Sequence, residues 1–260
     1  PLVPKLVVDM SVEGEAGAAD RWGMAEDSAV EAEISEEEGR VATGNKAVLS
    51  EGDRERIRQA VEAAERQSMA EIVPMIVARS GLYRDAQHRA GLITALSALV
   101  LLLTIEVSWL PWGWHASNAA WLVVAVTLAY AVGAWIGTWS VVVRLLTSPA
   151  RLRHKVALRA ERAFVQHAVS QTREATGVLI LLSMLERQVY VLPDPSLAKL
   201  VPAERWNRVV QAAVEPLRGG DIAGGLSRAI HACGVVLIDA CPSRSGDNPN
   251  ELPDHVIDER

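Results

Sequence analysis

From Ala116 to Val143 the chain runs without one charged side chain, and Arg144 follows at once. No other feature limits the fold so severely. A helix needs about 20 apolar residues to cross roughly 30 Å of hydrocarbon, so this stretch is long enough to span with some tilt. A second uncharged stretch, Gly91 to Ile105, precedes it and is followed by Glu106. Extended through Trp109, it too reaches spanning length and leaves Glu106 at the interface, where a carboxylate is tolerated. Between them lies "EVSWLPWGWHASN", with Pro111 and Gly113 as turn residues. The reading is an α-helical transmembrane hairpin over residues 89–146.

Two further patterns agree. The chain has eight tryptophans and one phenylalanine, and Trp109, Trp112, Trp114, Trp121, Trp135 and Trp139 crowd into this region. An amphipathic ring is at home at a membrane–water boundary. Arg79, Arg84 and Arg89 precede the first stretch, and Arg144, Arg151, Arg153, Lys155 and Arg159 follow the second, while the connection has neither Lys nor Arg. The positive-inside rule then predicts both ends in the cytoplasm, at an inner membrane. Segments on either side of the hairpin can thus form one domain into which it is inserted.

The flanking segments read as α/β. "LSEGDRERIRQAVEAAERQS" starts with a Ser50/Asp53 capping box and puts Ile57, Ala60, Val61 and Ala64 on one helical face. Ala70–Ala78 reads as a strand in which Pro74, lacking a donor, predicts an edge or a distortion. After the hairpin, residues 151–176 form a long amphipathic pattern with Val156, Ala160, Ala163, Phe164, Val165 and Ala168 on its apolar side. Its first turns are basic and suit anionic headgroups. Gly177–Leu185 is also strongly apolar, but Glu186 and Arg187 break it. As a membrane helix it would carry two charges near mid-bilayer, at a cost of about 2.5–3.5 kcal/mol for a residue such as Arg187. Two apolar runs about a polar turn make a β-hairpin instead, covered by helices on both faces. Pro202 and Gly219-Gly220 bracket the next helix, and Asp221 caps the last.

The ends differ. Residues 1–50 hold eleven acidic and four basic side chains, and 1–46 read as a disordered acidic tail. Residues 47–88 and 147–241 are the two parts of the domain, and 242–260 a polar C-terminal tail. Outside the N-terminal acid block the charge is near balance, so a dedicated nucleic-acid binder is excluded. Cys233 and Cys241 lack the spacing of a zinc site and read as idle thiols.

Together, "AERQSMAEIVPMIV", "TREATGVLILLSMLERQVYVLPD", "WNRVVQAAVEPLRGGDIAGGLSRAI" and "NELPD" resemble the TPM domain, a family named for a thylakoid-lumen phosphatase, a photosystem II repair protein and a channel modulator. The nearer resemblance is to the bacterial branch that ends in Asn-Glu-Leu-Pro-Asp, and it covers roughly residues 50–81 and 151–254. It implies a small central sheet flanked by helices, here interrupted by the hairpin. It also implies phosphatase activity in some relatives and calcium binding through acidic residues in others. Plastid-type members carry an Asp-Asn pair before the Gly-Val-Leu strand, where this chain has Ala175 and Thr176.

Glu71, Glu174, Asp194 and Glu251 are the candidate catalytic carboxylates, and Glu71, Glu174 and Asp194 the candidate ligands of a calcium or magnesium ion. Paired carboxylates can hold a cation or activate water. Each also has a plainer role available, in a turn, at a helix end or as a pin for the tail. No P-loop, GxGxxG, GxSxG or HExxH is present. The expected function is a membrane-anchored binding or assembly module with no required cofactor. Its expected partners are the membrane, another membrane protein and, as one option, a second copy. A metal-assisted phosphatase is the alternative.

Overall fold

The structure, a computed structural model, describes residues 7–9, 49–109, 116–243, 251–252 and 254–259. The acidic block "EAEISEEEGR", Trp112 and Trp114 of the connecting turn, and Asn250 and Pro253 of the closing motif lie outside the described residues. The chain divides into two compact units. One comprises residues 1–79 and 156–260, the other residues 80–155.

The first unit is a sheet between helices. Strand β1 is Val7–Asp9, helix α1 Glu51–Glu65 and strand β2 Glu71–Val77. Helix α1 starts as its sequence predicts. Ser50 Oγ accepts from the Asp53 amide and Asp53 Oδ2 accepts from the Ser50 amide, both at 3.1 Å. The next elements, from α2 Arg84–Trp109 to α4 Ser140–Leu146, belong to the second unit, and helix α5, Pro149–Gln166, carries the chain back. Strands β3 Gly177–Ser183 and β4 Gln188–Pro193 follow, then helices α6 Pro195–Leu200, α7 Ala203–Arg218 and α8 Ile222–Ala240, and strand β5 Ile257–Glu259. The sheet order is β1-β4-β3-β2-β5. Strands β2 and β3 pair in parallel, as do β2 and β5, while β3–β4 and β4–β1 are antiparallel.

Alternation along the strands divides the core. Ile72, Ile76, Val178, Ile180, Leu182, Val189 and Val191 pack with Ile57 and Val61 of α1 and with residues of α7 and α8. Val73, Met75, Val77, Leu179, Leu181 and Tyr190 pack with Val156, Ala160, Ala163 and Phe164 of α5. All seven residues of β2, all seven of β3 and all six of β4 are buried, which is why these strands read as unbroken apolar runs. Burying each such large side chain stabilises the fold by about 1.5–3 kcal/mol. The apolar run Gly177–Leu185 is therefore a strand and turn, with Ser183 and Glu186 joined at the tip.

Several expectations are corrected. Val7–Asp9 is not disordered tail but pairs with β4. The C-terminal tail is not outside the domain, because Ile257–Glu259 adds β5 to the sheet. Pro74 does not put β2 at the sheet edge. Strand β5 begins opposite Met75, and the amide of Ala78, four residues after Pro74, is the one that donates to Glu259. By the two-residue alternation of a strand, the missing Pro74 donor points to the β5 side, just beyond where β5 starts. Val165 is 71% exposed rather than part of the apolar stripe, and Ala168 lies beyond the end of α5 with φ 55°. Trp206 of α7 is fully buried.

In the second unit, helix α3 is Ala116–Ile136. Helices α2 and α3 meet through small residues. A Cβ at Gly133 would stand 2.3 Å from Thr94 Oγ1, and one at Gly137 would stand 2.7 Å from Gln87 Cα. Gly133 and Gly137 are four residues apart, the small-xxx-small spacing that lets membrane helices approach closely. The second apolar stretch is not one straight helix to Val143, because α4 leaves α3 at 99°. Among the described residues, two helices are long and apolar enough to cross a membrane, Arg84–Thr104 and Ile222–Ala240, and the bent α3–α4 pair adds a third if it counts as one span. The second of these is α8, which lies in the core of the sheet unit.

Candidate functional site

One end of the sheet gathers the candidate residues. The β2–β3 register sets Glu71 opposite Gly177, directly after Ala175 and Thr176. The Asp194 amide donates to Gly177 O at 2.8 Å, which brings the end of β4 to the same place. Gly177 is required there, since a Cβ would fall 2.1 Å from Val169 O. Residues 251 and 252 pass over this end on the way to β5.

Each acid has a definite setting. Glu71 is buried, and its Oε2 accepts from the Leu252 amide at 3.3 Å. Burial raises the Glu71 carboxyl above its ordinary range, against the lowering effect of the Glu251 and Leu252 amides. Glu251 Oε2 accepts from the Arg173 amide at 2.9 Å, and its Oε1 stands 3.1 Å from Arg173 Nε. Asp194 is buried, and its Oδ1 accepts from the Ser196 amide at 2.9 Å as the N-cap of α6. Glu174 is exposed. Thr176 turns inward, its hydroxyl donating to Met69 O at 2.7 Å. Ala175 has φ 54°, a left-handed conformation that Asn and Asp tolerate better than Ala.

Glu65 was missed. It stands four residues after Val61 and eight after Ile57, on the buried stripe of α1, and that periodicity is the signal that would have found it. Its Oε1 accepts from the Ile72 amide at 2.8 Å, tying the helix end to the start of β2. Burial pushes its carboxyl up to about 8, and the charges of Glu71 and Asp254 add to this. The carboxylates thus favour each other's protonated forms. Among the described residues, no three His, Cys, Asp or Glu side chains stand together in a way that would hold a metal ion.

The segment that leads into β5, and β5 itself, are held by charge. Arg159 pairs with Glu259, His167 Nε2 lies 3.0 Å from Glu259 Oε1, and Arg54 Nη2 lies 3.2 Å from Asp258 Oδ2. On the α7/α8 side of the unit a separate cleft of about 480 Å³ is lined by Arg56, Gln211, Glu215, Arg228 and His231 together with Ala212 and Ala232. Arg228 Nη1 meets Glu215 Oε2 there at 3.0 Å.

A mixed five-stranded sheet between helices, with an apolar helical unit inserted after its second strand, defines the class: an α/β domain with a helical insertion. A family model for the TPM domain matches residues 139–236. The match begins near the end of the helical insertion and runs into α8. Among solved structures, the BA42 protein from the psychrophilic bacterium Bizionia argentinensis is similar in fold. The TM-score is 0.52 at 15% sequence identity, and the alignment covers 84% of this chain and 99% of that one. No curated protein matches.

Proposed function

We propose that this chain is a bacterial inner-membrane protein, anchored by its helical unit, whose TPM domain works on the cytoplasmic side. There it binds another membrane protein as an assembly or maintenance module. The observation that carries the reading is the state of the carboxylates. Glu65 and Glu71 accept backbone amides, Asp194 caps a helix and Glu251 holds Arg173. These groups hold the fold together instead of facing a substrate. The anchor is supported by the apolar helices and by the basic residues on both sides of the hairpin. Arg56, Glu215 and Arg228 at the cleft supply a place for a partner's charged side chain, and a second copy of the chain is the other occupant that this reading allows.

The test is photo-crosslinking in intact membranes from Gln211 of the cleft. A discrete membrane-protein adduct, lost in Arg56→Glu/Arg228→Glu, is the expected result. The same yield of adduct from the variant would count against the cleft. The alternative, a metal-assisted phosphomonoester hydrolase, predicts that the full chain turns over p-nitrophenyl phosphate with calcium or magnesium, and that Glu71→Gln and Asp194→Asn abolish it.

A further inference from the structure

The helical unit carries six basic residues, Arg84, Arg89, Arg144, Arg151, Arg153 and Lys155, all before residue 90 or after residue 143. The fold brings the two groups to one end. Arg89 Nη1 donates to Leu146 O at 3.0 Å, Arg151 pairs with Asp85, and a Cβ at Gly81 would stand 3.1 Å from Lys155 Cδ. In sequence, Asp85 is the one carboxylate at this end, since Glu106 lies at the far end of α2.

The same end carries α4. It leaves α3 at 99°, so if α3 crosses a bilayer, α4 lies in the plane of its surface. Val141 and Leu145, one turn apart on α4, are 60% and 82% exposed, while Val143 between them is buried. Trp139, just ahead, is exposed as well. A short helix with apolar side chains on one face, beside a cluster of guanidinium groups, has the composition of an interfacial element. Arginine guanidinium binds phosphate through paired N–H donors.

We propose that this end of the helical unit is a binding surface for the phosphate headgroups of anionic phospholipids. Val141, Leu145 and Trp139 enter the acyl boundary while the arginines and Lys155 hold the headgroups. The proposal rests on the membrane reading above and adds a lipid preference to it. Charge complementarity commits it to this occupant, with six cations set against one acid.

The full chain, purified with equal amounts of phosphatidylglycerol and phosphatidylcholine, is examined by native mass spectrometry for retained lipid. Phosphatidylglycerol is expected to be retained about fivefold over phosphatidylcholine, in line with the attraction of each basic side chain to an anionic surface. R144Q/R151Q/R153Q/K155Q is expected to bring the ratio to parity. Alkaline extraction of the parent separates the two claims. A chain that stays embedded but retains both lipids equally overturns the lipid preference alone, and a chain released by alkali overturns the membrane reading with it. If the quadruple variant does not fold, salt decides. The parent's preference must fall severalfold between 0.1 M and 1 M salt, where the screening length shrinks from about 10 Å to about 3 Å. An unchanged preference overturns the proposal.

Discussion

Helices α2 and α8 are both long and apolar enough to cross a membrane, yet they stand in opposite surroundings. On α8, Leu226, Ala229, Ile230, Cys233 and Leu237 are buried against the sheet and its neighbours, and Val235 is left exposed. On α2, Leu92, Ile93, Leu96, Val100 and Leu101 are all exposed. Large apolar side chains left open along a helix over several turns mark a surface made for an apolar surrounding. Apolar composition alone therefore does not separate a core helix from a spanning one. The difference lies in partners, because α8 has a sheet beneath it and α2 has one small-residue seam with α3.

A buried charge should break the comparison most severely. Ile230→Arg puts an unpaired guanidinium into the core and should unfold the sheet unit, at a cost of several kcal/mol, while the chain remains in the membrane fraction. Leu96→Arg should do the reverse, lowering insertion by about 2.5–3.5 kcal/mol and leaving the sheet unit resistant to protease. Protease resistance and alkaline extraction, scored on both variants, read the two effects separately. If both variants lose the same property, the assignment of the two helices is wrong.

Truncation gives the next effect. Leu226→Ala should destabilise the sheet unit by about 2–5 kcal/mol, and Leu96→Ala should stay within about 0.5 kcal/mol. Hydrogen exchange at the β2 and β3 amides of the detergent-solubilised chain measures both.

Glu65 sharpens the contrast through pH. Its carboxyl is raised to about 8 in the folded chain against 4.5 as the ordinary value, so the folded state holds the proton more tightly. The stability it contributes is complete below about pH 4.5 and is lost as pH rises through about 8. Glu65→Gln keeps an acceptor for the Ile72 amide and cannot ionise. Its advantage over the parent should be near zero at pH 4 and grow to a few kcal/mol, in order of magnitude, above pH 8. An advantage that is flat with pH would mean that the carboxyl is solvated.

The smallest expected effect is at Ala175. Its left-handed backbone costs about 1 kcal/mol, and Ala175→Asn should recover most of that in the stability of β3 by hydrogen exchange. No gain would show that the strain is absent.

What could be read from the sequence was what neighbouring residues decide among themselves. The Ser50/Asp53 box, the Asp221 cap and the β-hairpin about Glu186-Arg187 depend on spacing within a few residues, and all three are present. Strands β1 and β5 are three residues each, too short for a hydrophobic period, and exist through pairing with β4 and β2. The meeting of the candidate acids at one sheet end follows from the register of Glu71 with Gly177. The ties of Glu71, Glu251 and Asp194 to the amides of residues 252, 173 and 196, and of Glu65 to that of residue 72, are contacts of the finished fold. The bend before α4 was hidden because Gly137, Thr138 and Trp139 do not interrupt the run of uncharged residues.

The parallel pairing of β2 with β3 also sets an order of events during synthesis. Strand β2 leaves the ribosome with neither sheet neighbour in existence, and residues 78–176 must be made before β3 can join it, with β5 later still. Closing so long a loop is slow compared with forming a helical hairpin. Through that interval the apolar β2 is a nascent strand open on both edges. The helical unit is completed first, and the sheet closes only afterwards.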